Sequence, residues 1–111
     1  MSYLGSEFIQ QEVEEMQFLQ SLVSAMADEA EMTDSVEYLI EYYHTLYALL
    51  DKQHVIYTRL SLTDDMEATI MATQLSEEAN RIGKEPNISM SQFYSQSKKD
   101  IQHELELLGD L

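Results

Sequence analysis

The 111-residue chain has no cysteine and no tryptophan, a single proline and three glycines. Without thiols it has no disulfide framework, no zinc ribbon and no cysteine nucleophile. Three scattered glycines do not make a loop that cradles a phosphate. Cations are scarce too: six Lys and Arg stand against 21 Asp and Glu, a net charge of −15 with His neutral. Binding a phosphate backbone needs clustered cations, and the pair Lys98 and Lys99, followed by Asp100 and Glu104, is too small for that. Nucleic acid is therefore not expected as a partner. Long apolar runs are missing as well. The uncharged stretches 16–27 and 42–50 are short and broken by polar residues, so neither spans ~30 Å of hydrocarbon. The first residues have neither the basic region nor the apolar core of a secretory signal. Anionic lipid would repel so acidic a chain, and a soluble cytoplasmic protein with no membrane partner is the expectation.

What is present is enough for a packed core. Hydrophobic residues make up 44% of the chain, and at this length one domain over residues 1–111 buries ~65% of the surface of the unfolded chain. The acids are unevenly placed: residues 1–51 hold 11 acids and no Lys or Arg, whereas residues 52–111 hold ten acids and six cations. Long helices in the first half would present a continuous negative surface, felt at physiological salt over ~8 Å.

Apolar residues recur at helical spacing almost throughout. Ile9, Val13, Met16, Leu19, Val23, Met26 and Ala30 step by three or four, with Phe8, Leu22 and Ala27 widening the stripe. This predicts a first helix from about Glu7 to Ala30, with Gly5 and Ser6 where a cap belongs. A turn near Thr33 and Asp34 follows, either residue being placed to cap the next helix, and Asp34 with Glu37 has capping-box spacing. The second helix, about Ser35 to Leu60, carries two stripes. One is Val36, Leu39, Tyr43, Leu46, Leu50, His54, Tyr57 and Leu60; the other is Tyr38, Tyr42, Leu49 and Ile56. One antiparallel neighbour covers only ~100° of a helix, so the second stripe needs a second neighbour, from the same chain or another. Tyr suits interfaces, because its ring is buried while its hydroxyl stays wet. Homo-oligomerisation through Tyr38, Tyr42, Leu49 and Ile56 is the expectation.

A third helix, capped near Thr63, has the weaker stripe Ile70, Met71, Leu75, Ala79 and Ile82 and stops at Gly83. Ser89 with Gln92 is a capping box opening a fourth helix from Met90 to Leu108, ended by Gly109. No segment alternates with period two for long enough to form a strand. The fold class is all-α: two long antiparallel helices followed by two shorter ones, a bundle or hairpin dimerising through the second helix.

Three stretches carry a resemblance: Ser6 to Glu12 (SEFIQQE), Tyr57 to Ala68 (YTRLSLTDDMEA) and Met90 to Phe93 (MSQF) with its acidic helix. They resemble a family of small helical proteins of unknown function found in cyanobacteria and their phages, over nearly the whole chain. The resemblance implies a soluble, intracellular helical protein without a known catalytic centre, and supplies no site residues.

Each histidine follows an acid by three residues, at Glu41 and His44, Asp51 and His54, and Asp100 and His103. On a helix that spacing puts carboxylate and imidazole on one face, as in ferritin-like metal sites, and Glu37, Glu41 and His44 form the best such cluster. In so acidic a chain the pairing also arises without a metal, adding a few tenths of a kcal/mol to a helix. His54, on the main apolar stripe, reads as a hydrogen-bonded histidine and His44 as exposed. The serines sit at caps and on polar faces, and nothing marks a buried acid, so neither nucleophilic nor glycosidase chemistry has its residues. No enzyme activity and no cofactor are expected. The leading expectation is a small acidic interaction protein, an adaptor or regulator, that binds itself and a basic protein surface through Glu12, Glu14 and Glu15. A metal protein using Glu37, Glu41 and His44 is the alternative. A lower alternative is an acidic mimic of DNA that occupies a DNA-binding protein.

Overall fold

The computed structural model describes residues 7–62 and 65–110. They form four helices, α1 (Glu7–Met32), α2 (Val36–Ser61), α3 (Met66–Arg81) and α4 (Met90–Leu107), and no strand among the described residues. The all-α architecture of two long and two shorter helices is as the periodicity predicts.

The helix boundaries follow capping chemistry. Ser35, with extended backbone, caps α2: its hydroxyl oxygen accepts the Tyr38 amide at 3.2 Å. The expected cap at Thr33 or Asp34 is displaced by a residue or two, because the Thr33 hydroxyl oxygen accepts the Ser35 amide at 3.0 Å, outside the helix. Asp65 caps α3, its carboxylate accepting from Glu67 N–H at 2.8 Å and Ala68 N–H at 3.4 Å. Thr63 lies outside the described residues, as do Gly5 and Ser6. The Ser89 and Gln92 capping box forms in both directions, at 3.1 and 2.9 Å. Gly83 and Gly109 take φ of +115° and +84°. These left-handed turns let Lys84 N–H reach the Ala79 carbonyl at 2.9 Å and Asp110 N–H reach the Leu105 carbonyl at 3.0 Å, ending α3 and α4.

Helix α2 lies in the middle and packs against each of the other three, whereas the backbone of α1 approaches only α2 among the described residues. Both α1 and α4 run antiparallel to α2. Lys52 meets Glu12 and Glu15 while Tyr38, nearer the start of α2, reaches the Met26 carbonyl; Lys98 meets Asp51 while Asp110 reaches back to His44. The core joins Leu49, Leu50, Ile56 and Leu60 of α2 to Met16 of α1, Leu75 and Ala79 of α3, and Tyr94, Ile101 and Leu105 of α4. Burying each such large side chain contributes about 1.5–3 kcal/mol.

This packing takes two of the four residues expected at an oligomer interface into the chain's own core. Ile56 is 0% and Leu49 7% exposed within the single chain, and Tyr38 and Tyr42 are half-buried. Both stripes find their neighbours within the chain: Tyr38 reaches the Met26 carbonyl of α1 and Lys52, on the same side, pairs with α1 acids, while His54 and Tyr57 of the main stripe lie against Tyr94 of α4. Leu49 and Ile56 are core residues and offer nothing to another copy.

Candidate functional site

Three groups of side chains could act outside the core: the outward face of α1, the polar seam between α2 and α4, and the acids singled out in the sequence. An α-helix advances about 100° per residue, so with Met16, Leu19, Val23 and Met26 turned to α2, residues 18, 22, 25 and 32 come round on the far side. Phe18 is 67% exposed there, Leu22 37% and Met32 85%, and Ala25 is exposed as well. Helix α1 is therefore apolar on two faces, one spent on α2 and one presented to solvent. Leu22, expected to widen the core stripe, belongs to the second face. The sequence reading overlooked Phe18 altogether, although the signal was there: steps of four, three and seven through Phe18, Leu22, Ala25 and Met32.

Carboxylates border this face. Glu14 and Glu15 lie at one end and Glu29 toward the other, all exposed. Lys52 reaches across from α2 and pairs with Glu12 at 2.9 Å and Glu15 at 2.7 Å. Its ammonium beside Glu15 holds that carboxyl below the usual carboxylate range, and the two carboxylates hold Lys52 above the usual lysine range. Of the three acids expected to form a partner-binding face, two are thus tied to the chain's own lysine and Glu14 alone is simply exposed. Lys52, Phe18 and Leu19, with Glu14 and Glu15, line one shallow hollow. At the other end the Tyr38 hydroxyl faces Glu29, and burial, then the charge of Glu29 and a hydrogen bond to it, raise the hydroxyl's pKa.

The seam between α2 and α4 holds a second connected polar cluster. The Lys98 ammonium donates to Asp51 at 3.1 Å and lies 3.2 Å from His54 Nδ1. An ammonium can only donate, so Nδ1 accepts, and Nε2 carries the proton that it offers to the Ser91 hydroxyl oxygen at 3.2 Å. His54 stacks on the ring of Tyr94, centroids 5.4 Å apart, and Tyr94 is 2% exposed. Burial and the Lys98 charge push the His54 pKa down, against a smaller opposing pull from Asp51. Burial, followed by the charge of Glu78, pushes the Tyr94 hydroxyl up. A serine next to a histidine suggests a nucleophile and its base, but the tautomer is the reverse of what that needs: the nitrogen facing Ser91 already bears a proton. The cluster fastens α4 to α2, which is the hydrogen-bonded role expected of His54.

The alternative metal set does not assemble. Glu37 and Glu41 are exposed on α2, and the Nε2 of His44 is engaged by Asp110 at 2.6 Å. Among the described residues no group of three His, Asp or Glu is placed to hold a metal ion. The reason is topological: among the described residues, the end of α4 brings His44 a single acid, Asp110. Among the described residues no helix is long and apolar enough to cross a membrane.

Comparison with curated proteins and with solved structures gives no match. A family model does match, over residues 1–105, and its description is a domain of unknown function, DUF1825. It covers α1 to α3 and all but the last two residues of α4, in keeping with the resemblance carried by the three sequence stretches. The chain belongs to the DUF1825 family.

Proposed function

We propose that this protein is a small acidic helical interaction protein, an adaptor or regulator without a catalytic centre, that binds another protein through the outward face of α1. The observation that carries the reading is the apolar stripe Phe18, Leu22, Ala25 and Met32 on a helix whose opposite face is already packed. Single exposed apolar residues are ordinary, whereas four in helical register on one face present a surface that gains by being covered. The polar cluster at His54 supports the absence of catalysis, since its hydrogen bonds are satisfied internally in the wrong tautomer for a base. A photo-crosslinking side chain placed at the exposed Ser21, beside the stripe, tests the reading in the native cell, with the same side chain at the exposed Glu106 of α4 as reference. A discrete adduct from position 21 that vanishes with Phe18→Asp is expected. Identical adducts from both positions, or none from position 21, would refute the reading.

A further inference from the structure

The spacing of the outward stripe says more than that it is apolar. Phe18, Leu22, Ala25 and Met32 follow the alternating four- and three-residue steps of a coiled-coil seam, in which Phe18, Ala25 and Met32 hold one core position and Leu22 the other. Two further residues occupy that second core position, one heptad to either side of Leu22: Glu15 and Glu29. The seam is thus apolar through Phe18, Leu22 and Ala25, with a carboxylate on either side of that run and Met32 beyond the second. The two carboxylates are 14 residues, or ~21 Å, apart along the helix.

Those carboxylates decide what can lie there. A second copy of the chain laid parallel sets Glu15 against Glu15 and Glu29 against Glu29, and laid antiparallel with Leu22 over Ala25 it sets Glu15 over Met32 and Glu29 over Phe18. Either way carboxylates enter the seam with no cation from the partner opposite, between molecules of net charge −15. Lys52 does not remove the problem, because one ammonium among Glu12, Glu14 and Glu15 leaves that end with two net negative charges, and the Tyr38 hydroxyl beside Glu29 brings no positive charge. A groove that reads only apolar anchors would leave both acids facing its rim. A helix with its own apolar seam and a cation opposite each acid satisfies every position.

We propose that the outward seam of α1 receives a cationic amphipathic helix of another protein, with a Lys or Arg opposite each of Glu15 and Glu29 and apolar residues over Phe18, Leu22, Ala25 and Met32. This rests on the interaction reading above and gives its partner a chemistry. Charge attraction from an acid-rich first half steers such a helix in, and the seam sets its register.

The test uses the full-length protein and two synthetic peptides of about four heptads, each with Leu at the seam positions. One carries Lys at two seam positions 14 residues apart, and the other carries Glu there. Anisotropy titrations should show binding of the Lys peptide and not of the Glu peptide. Phe18→Ala combined with Leu22→Ala should weaken binding by at least about tenfold. Glu29→Lys should lower affinity for the Lys peptide and create affinity for the Glu peptide, whereas Glu106→Lys, an equal charge change on exposed α4, should do neither. Equal effects of Glu29→Lys and Glu106→Lys would reduce the attraction to general electrostatics and overturn the proposal. A dimer in sedimentation that Phe18→Asp dissolves would give the seam to a second copy, overturning the partner chemistry while leaving the interaction reading standing. Failure of that reading shows separately, as loss of the position-21 adduct.

Discussion

Ile56→Ala puts the central packing argument to a quantitative test. Ile56 is 0% exposed, in the middle of the helix that touches all three others. The change removes about three methylene equivalents, at about 0.8 kcal/mol each, or ~2.4 kcal/mol of transfer free energy. A residual cavity adds to this, because a residue enclosed by the core cannot be replaced by simple collapse of one neighbour, and the total is about 3–4 kcal/mol. A chain of this size has about 5–15 kcal/mol to lose, so the variant should remain folded but unfold at much lower urea. The assay is urea unfolding followed by circular dichroism at two protein concentrations about fiftyfold apart. A residue inside a single chain gives the same midpoint at both, whereas one at an oligomer interface makes the midpoint rise with concentration. A loss below about 1 kcal/mol, or a midpoint that moves with concentration in the parent protein, would refute the assignment of Ile56 to the chain's own core.

Two further outcomes follow from the local chemistry. His54 has a folded-state pKa below its ordinary value, so between that value and about 6.5 the unfolded chain binds the extra proton and stability falls as the pH is lowered from 7 into that window. His54→Gln, whose amide can still donate to Ser91 and accept from Lys98 without titrating, should flatten the dependence of the urea midpoint between pH 7 and 5; an unchanged slope would place the titrating group elsewhere. Ser89→Ala removes one half of the α4 capping box and should cost about 1 kcal/mol in the same unfolding assay, with Ser89→Asp, a good cap, restoring most of it.

Much of the fold was legible because helices announce themselves twice, in the period of their apolar residues and in the chemistry of their ends. Ser89, Gln92, Gly83 and Gly109 do what their types favour wherever a helix begins or stops. The cap of α2 was misplaced because Thr33, Asp34 and Ser35 are all good caps, and only a hydrogen bond within the turn selects among them. The stripe Tyr38, Tyr42, Leu49 and Ile56 was correctly seen to need a second neighbour, but periodicity on one helix does not say which chain supplies it. That depended on α1 lying along this side of α2 and α4 along the other, a matter of tertiary packing. The seam on α1 was legible in its spacing and was passed over, because the stronger stripe on the opposite face accounts for the helix by itself. The pairing of Lys52 with Glu12 and Glu15, and of His44 with Asp110, joins residues 37 to 66 positions apart, and no local pattern predicts such contacts.

A helix walled in on three sides completes its surroundings in stages as the chain is made. The hairpin of α1 and α2 has its contacts close in sequence and closes early, with little loop entropy to overcome. The side of α2 that Tyr94, Ile101 and Leu105 will cover stays open until residues 90–107 have emerged, so the nascent protein passes through an interval with a greasy flank and no lid. That flank is where unfinished copies would stick together, and a chain interrupted before α4 would carry it permanently.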